Sequence, residues 1–184
     1  MAESILEATP GADDANSYVD AEEADAYFAT RLNVDAWDDA ETDEKEKALI
    51  MAARMIDRLT FKYVRANALI ENGVAVIQAL AFPRIGSKQN ESHILYDDEG
   101  EVFIPQPIKD AQCEQALFIL QNPSSGDLYT LRQQGIASQS IGDASITFDR
   151  GAAQAATPQA ANLCIEAQAI LQTWRETIVR VGRG

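Results

Sequence analysis

Five groups of side chains in the 184-residue chain have types and spacings that could do chemistry. His93 is the single histidine and stands beside Ser92 in a polar stretch. One imidazole cannot assemble the usual zinc ligand set. A Ser-His pair acts through spatial geometry rather than sequence adjacency, and the G-x-S-x-G elbow is absent. Gly86-Ser87-Lys88 does not fit the spacing of a phosphate-binding loop, which needs an earlier glycine and a following helix. Asp97-Asp98-Glu99-Gly100-Glu101 gathers carboxylates around a glycine but lacks the alternating ligand positions of a calcium loop, so it reads as a solvated turn. Cys113 and Cys164 each fall within an apolar helical pattern and read as buried, reduced thiols rather than a disulfide. Arg54, Arg58, Lys62 and Arg65 recur about once per helical turn and form the basic stripe of the chain. Read as having no aromatics interleaved for base stacking, the stripe is expected to be an exposed helix end. No catalytic residue, metal or cofactor is expected.

The elements that must position these residues follow from periodicity and punctuation. Asp20 can cap a helix over about 21 to 31, with Glu23 reaching back as in a capping box and Ala24, Tyr27, Phe28 and Leu32 forming its apolar face. Thr42 is expected to cap a longer helix through about Leu59, buried along Leu49, Ala52, Met55, Ile56 and Leu59. Acids crowd its first turn and Arg54 and Arg58 its end, as the macrodipole favours. Residues 61 to 72 read as an exposed connection, and Val74 to Ala81 as a short helix stopped by Phe82-Pro83. A hairpin is expected between Ile94-Leu95-Tyr96 and Val102-Phe103-Ile104. Pro107 suits the start of the central core helix, running to about Gln121 with Ile108, Ala111, Leu117, Phe118 and Leu120 inward. Strands Ala137 to Ile141 and Ser145 to Phe148 flank a Gly142-Asp143 turn. Thr157-Pro158 opens a last helix through Leu171, and Thr177 to Val181 is β-branched and reads as an extended tail.

Length and composition set the frame. The chain is 46% hydrophobic and 24% charged, which suits one globular domain and excludes wholesale disorder. Its uncharged stretches are too short to span a membrane, and Met1-Ala2-Glu3-Ser4 carries no secretory signal features. Charge is uneven: residues 1 to 50 hold 15 acids and 3 bases, whereas 51 to 184 hold 14 acids and 12 bases, within a total of -14. That balance opposes a polyanion, so appreciable binding to single-stranded DNA at physiological salt is not expected.

The order of these pieces resembles a family of small tailed-bacteriophage proteins labelled DnaT-like single-stranded DNA-binding protein, and it looks like the head-tail connector adaptors. The carrying segments are Asn16-Ser17-Tyr18-Val19, Ala24-Asp25-Ala26-Tyr27, Asp43 through Leu49, and Gln78-Ala79-Leu80-Ala81-Phe82-Pro83-Arg84. Ile104-Pro105 with Pro107-Ile108-Lys109-Asp110-Ala111 completes the set.

The resemblance to adaptors implies a mainly α fold: a compact bundle of about four helices over residues 1-176, with a loop insertion at about 85-105 and a hairpin at about 136-149. An extended C-terminal arm follows over 177-184. It implies a homo-oligomeric ring, commonly of twelve, that joins the portal protein to a tail terminator or next neck protein in the virion, assembled in the host cytoplasm. DNA would pass through the ring only as cargo, and no membrane is involved. Ile178, Val179, Arg180, Val181 and Arg183 would dock the portal, and Ile141, Ile146 and Phe148 would make ring contacts. The alternative is a single-stranded DNA-binding replication accessory protein.

Overall fold

A computed structural model describes residues 4-66, 70-71, 74-75, 77-88, 91-94, 103-122, 138-141, 144-147 and 163-175. The fold is mainly helical. Its helices are α1 (Ala21–Phe28), α2 (Asp35–Asp38), α3 (Thr42–Ile56), α4 (Gln106–Gln121) and α5 (Ile165–Leu171). Short strands accompany them: β1 (Val64–Arg65), β2 (Ile70–Glu71), β3 (Val74–Ala75), β4 (Arg84–Lys88), β5 (Glu91–Ile94), β6 (Ser138–Ile141) and β7 (Ala144–Thr147). Among the described residues all pairings are antiparallel, in the orders β1-β4-β5, β2-β3 and β6-β7.

Helix ends follow local chemistry, with adjustments. Asp20 Oδ1 accepts the Glu23 N–H at 2.7 Å, so it caps α1 as expected. Glu23 does not reach back; its carboxylate pairs with Lys109 on α4. α1 stops at Phe28, where the Thr30 hydroxyl donates to the Tyr27 carbonyl, and Leu32 is left 86% exposed rather than on the buried face. Glu41, not Thr42, is the cap residue of α3, and the Glu44 carboxylate accepts the Glu41 N–H at 3.1 Å. α3 ends at Ile56, three residues before the expected limit, although Leu59 is still buried. The four-residue α2 has too few residues for a visible period, yet it seats Trp37 in the core.

α4 packs against α1, α2, α3 and α5 and is the central helix. It carries a buried row that hydropathy does not mark, because Gln112, Glu114 and Gln115 are as enclosed as Ile108 and Ala111. Gln112 accepts the Tyr18 N–H at 2.8 Å and donates to Ser17 Oγ at 2.7 Å and the Leu49 carbonyl at 2.9 Å. Gln115 accepts the Cys164 N–H at 2.7 Å. Amides without charge thereby satisfy the loop backbone that leads into α1 and α5, where water cannot. Phe118, expected inside, lies partly exposed beyond this row.

The segment before Pro83 corrects a second expectation: 74 to 81 is not a helix. Its amides bond to distant partners, Ala79 N–H to the Ala12 carbonyl at 3.0 Å and Ala81 N–H to the Asp57 carboxylate at 3.1 Å. Gln78 is buried and donates to the carbonyls of Leu80 and Pro83 at 2.9 and 3.0 Å. An eight-residue helix is marginal, and these tertiary bonds prevail. The Phe82-Pro83 peptide bond is cis. The hairpin also moves: residues 91-94 pair with 84-88 across a two-residue link, nearer in sequence than the expected partner at 102-104. Residues 61 to 72 are not merely an exposed connection, since Phe61 is buried and bridges Arg175. α5 starts at Ile165, with Cys164 Sγ accepting the Ala167 N–H, so the helix does not run continuously from the Thr157-Pro158 start, which lies outside the described residues. β6 and β7 form the expected hairpin, Ile141 opposite Ala144 and Gln139 opposite Ile146.

Two groups of buried residues fill the interior. One joins Tyr18, Ile56, Phe61, Phe82, Ile108, Ala167 and Leu171; the other joins Val19, Phe28, Trp37, Leu49, Ala116 and Leu117. At the heart of the first, the Tyr18 hydroxyl donates to Asp57, the C-cap residue of α3. Burial, above all, raises the Asp57 carboxyl above its ordinary 3.8, while its bonds to Tyr18 and Ala81 pull the other way.

We expect Gln112→Ala to destabilise the fold by about 3 kcal/mol in urea unfolding, because it strands buried backbone groups and leaves a cavity. Gln121→Ala, at the exposed end of α4, should change stability by less than about 0.5 kcal/mol; equal losses would refute the role of the buried amide. Asp57 supplies a pH test. A carboxyl with a raised folded-state value holds a proton that the unfolded chain has released, so its contribution is full below pH 3.8 and is lost as pH rises through the folded value. Asp57→Asn should therefore gain stability relative to the parent as pH climbs from 3.8, measured by denaturation at a series of pH values. A difference independent of pH across that window would contradict it.

Candidate nucleic-acid interface

The basic stripe is an exposed helix end at Arg54 and Arg58, as expected, but Lys62 and Arg65 lie beyond the helix. α3 delivers Arg54 on its last turn, Asp57 closes it, and Arg58 stands exposed just past the cap. From there the chain turns across the C-terminal side of α5. Lys62 N–H donates to the Trp174 carbonyl at 3.0 Å, and Lys62 Nζ donates to the Thr173 carbonyl at 2.7 Å. β1 follows, with Val64 opposite Ile85 and Arg65 opposite Arg84 on β4. One corner of the molecule thus collects Arg58, Lys62, Arg65, Arg84 and Arg175, with Arg54 one helical turn before Arg58.

Aromatic side chains lie among these bases, which corrects the reading of the stripe as lacking them. Phe61 and Tyr63 alternate with Lys62 within the run Arg58 to Arg65, a signal present in the sequence itself. Phe82 and Trp174 arrive only through folding. Phe61 meets Phe82 edge-on at 4.8 Å between centroids, and Phe82 meets Trp174 at 5.8 Å. Phe61 and Phe82 are buried and serve as the floor; Tyr63 and Trp174 are half-buried, and Val64 between the bases is 68% exposed.

Arg84 locks the corner. Its Nε donates to the Lys62 carbonyl at 2.8 Å, Nη1 to Ala81 at 3.1 Å, and Nη2 to Phe61 at 3.3 Å and to Tyr63. The guanidinium lies 6.0 Å from the Phe61 centroid and 5.9 Å from that of Phe82. Tyr63 has φ of 70°, a left-handed conformation that is uncommon for a bulky residue and costs on the order of 1-3 kcal/mol.

Electrostatically the corner is distinct from the rest of the chain. Residues 54 to 65 contain four bases and one acid, Asp57, whose carboxyl faces inward to Tyr18 and Ala81. Among the described residues neither Arg54 nor Arg58 makes an ion pair. The acids that open α3, Asp43 and Glu44, lie at its far end, about 20 Å away for a helix of this length. That exceeds the screening length of about 8 to 10 Å at physiological salt.

The other candidates do not converge. Gly86, Ser87 and Lys88 belong to strand β4 and pair with His93, Ser92 and Glu91, so no phosphate loop forms. Asp97 through Glu101 lie outside the described residues. Cys113 and Cys164 are free and buried, and burial pushes the Cys113 thiol up to about 12. A shallow cleft of about 310 Å³ between α1 and α4 is lined by Glu23, Tyr27, Lys109 and Asp110, with its lysine paired to Glu23. Among the described residues no cluster could hold a metal ion, and no helix is long and apolar enough to cross a membrane. Ile141 and Ile146 take strand positions in β6 and β7. Phe148, Ile178, Val179, Arg180, Val181 and Arg183 lie outside the described residues.

No curated protein and no solved structure matches the chain. A family model does match, over residues 3–184, and its description names single-stranded DNA binding. This overturns the expectation of a head-tail connector and, with it, the portal and neck proteins as partners and DNA as mere passing cargo. The adaptor reading drew on the order of short segments and on net charge, neither of which reports the local field of the corner. By the match over 3–184, the chain belongs to the family described as "Putative DnaT-like ssDNA binding protein".

Proposed function

We propose that this protein binds single-stranded DNA through the corner formed by the end of α3, β1, β4 and the end of α5. The observation that carries the proposal is the run Arg54, Arg58, Lys62 and Arg65, which contains the half-buried Tyr63 and is tied through the Lys62 backbone to the half-buried Trp174. Sequence-tolerant binding of a single strand needs a positive track for the phosphates and π faces for the unpaired bases. Family membership supports the same reading. The net charge of -14 averages over the whole chain, whereas the run 54 to 65 holds four bases and one acid, and the nearest charges act within a screening length.

Phosphates would meet the arginines at the end of α3, each releasing condensed counterions as it is neutralised. A base beside Tyr63 would find an apolar surface in Val64 and the aromatic floor behind it. The acidic remainder would repel strand that strays from this track, which confines the contact to a few nucleotides.

Fluorescence anisotropy with a labelled oligo-dT of about 20 nucleotides, longer than most single-fold sites, tests the proposal. We expect binding that weakens with salt. Arg54→Glu with Arg58→Glu should lower affinity at least about tenfold and flatten the log-log salt slope by about 1.4, at about 0.7 per lost phosphate contact. Lack of binding by the parent protein at low salt, or an unchanged affinity in the double variant, would refute the assignment.

A further inference from the structure

We propose that Arg84 is a positioning residue for the DNA-binding corner: it fastens the Phe61 to Tyr63 turn from behind and fixes the direction in which Tyr63 meets a base. This inference rests on the single-stranded DNA reading above. Three observations converge on it. All three guanidinium nitrogens of Arg84 donate to carbonyls, those of Phe61, Lys62, Tyr63 and Ala81. The turn they hold contains Tyr63 at a φ of 70°, a conformation that a tyrosine keeps only where its surroundings over-determine it. The β1-β4 register sets Arg84 directly across from Arg65, so the fastening point and the last base of the stripe share one two-strand ladder.

The chemistry requires arginine. A planar fork of five N–H groups can serve several carbonyls in one geometry, whereas an ammonium offers a point charge and three rotating donors. Charge-assisted bonds of this kind are strong and directional, which suits a turn held against its backbone preference. An arginine whose donors face carbonyls has little left for phosphate. Its positive charge therefore contributes to the local field, while its hydrogen bonds go to structure. This separates Arg84 from Arg54 and Arg58, whose charges point outward without ion-pair partners among the described residues.

Arg84→Lys and Arg84→Gln distinguish the two roles. If Arg84 positions Tyr63, both variants bind oligo-dT roughly tenfold more weakly, the order of one lost stacked base, with an unchanged salt slope. If it contacts phosphate, Arg84→Lys retains affinity and Arg84→Gln flattens the slope by about 0.7, which overturns the proposal. Tyr63→Gly guards against a folding artefact, because glycine adopts positive φ without penalty. It should melt no lower than the parent yet bind about as weakly as Arg84→Lys, and the double variant should bind no worse than either single one. Parent-like binding by Tyr63→Gly overturns the proposal. Amide exchange supplies an arm independent of DNA: Arg84→Lys should speed exchange at Lys62 and Val64 and leave α3 and α4 protected. Unaltered exchange there overturns the fastening whether or not DNA binds. Absence of DNA binding by the parent overturns the underlying function and this role together, whereas parent binding with an unaffected Arg84→Lys overturns this role alone.

Discussion

The Asp57 carboxylate is the constraint on which the remaining structure depends. It follows the last turn of α3, accepts the Tyr18 hydroxyl from the segment that leads into α1, and accepts the Ala81 N–H from the segment that leads into β4. Three stretches far apart in sequence meet at two oxygen atoms. Burial disfavours its charge, while hydrogen bonds and the nearby Arg65 and Arg84 favour it. A buried acceptor with committed donors is expensive to disturb, since each donor left without a partner carries its own desolvation penalty. Without this junction the cis Phe82-Pro83 segment would lose its anchor, and Arg84 would lose its place beneath the Phe61 to Tyr63 turn.

The same junction separates two electrostatic regions. α3 begins among acids and ends among arginines, so one helix links the acid-rich first part of the chain to the basic corner. Asp57 is the single acid in the run 54 to 65, and it is spent on the interior. The run 54 to 65 is therefore positive because its one carboxylate has been turned inward, as much as because of its arginines. Net charge, which averages both regions, conceals this division.

α3, α4 and the cap of α1 were legible in the sequence because their signals are local: Asp20 before the helix, acids then arginines along α3, Pro107 in the first turn of α4. Helix α2 escaped because four residues do not display a period. The segment 74 to 81 looked helical because its amide partners, Ala12 and Asp57, lie elsewhere in the chain and leave no mark on its own composition. Gln112 and Gln115 are polar yet buried, and only the fold shows which backbone groups they satisfy. For the interface, the alternation of Phe61, Lys62 and Tyr63 is present in the sequence itself. Arg84, Phe82 and Trp174 could not be added to it from sequence, because the cluster exists only after β4 and α5 have docked.

The two buried clusters share their supports. Ala53 and Ile56 of α3 and Ile108 and Ala111 of α4 belong to one, whereas Leu49 and Ala52 of α3 and Ala116 and Leu117 of α4 belong to the other. Among the described residues both clusters use α3 and α4, while α5 contributes only to the first and α1 and α2 only to the second. Dissolving one removes packing from the two helices that also support the other, which couples the stabilities of the two clusters. A perturbation around Trp37, remote from the arginines, is then transmitted to the corner through population of the unfolded state and requires no chain of moving contacts.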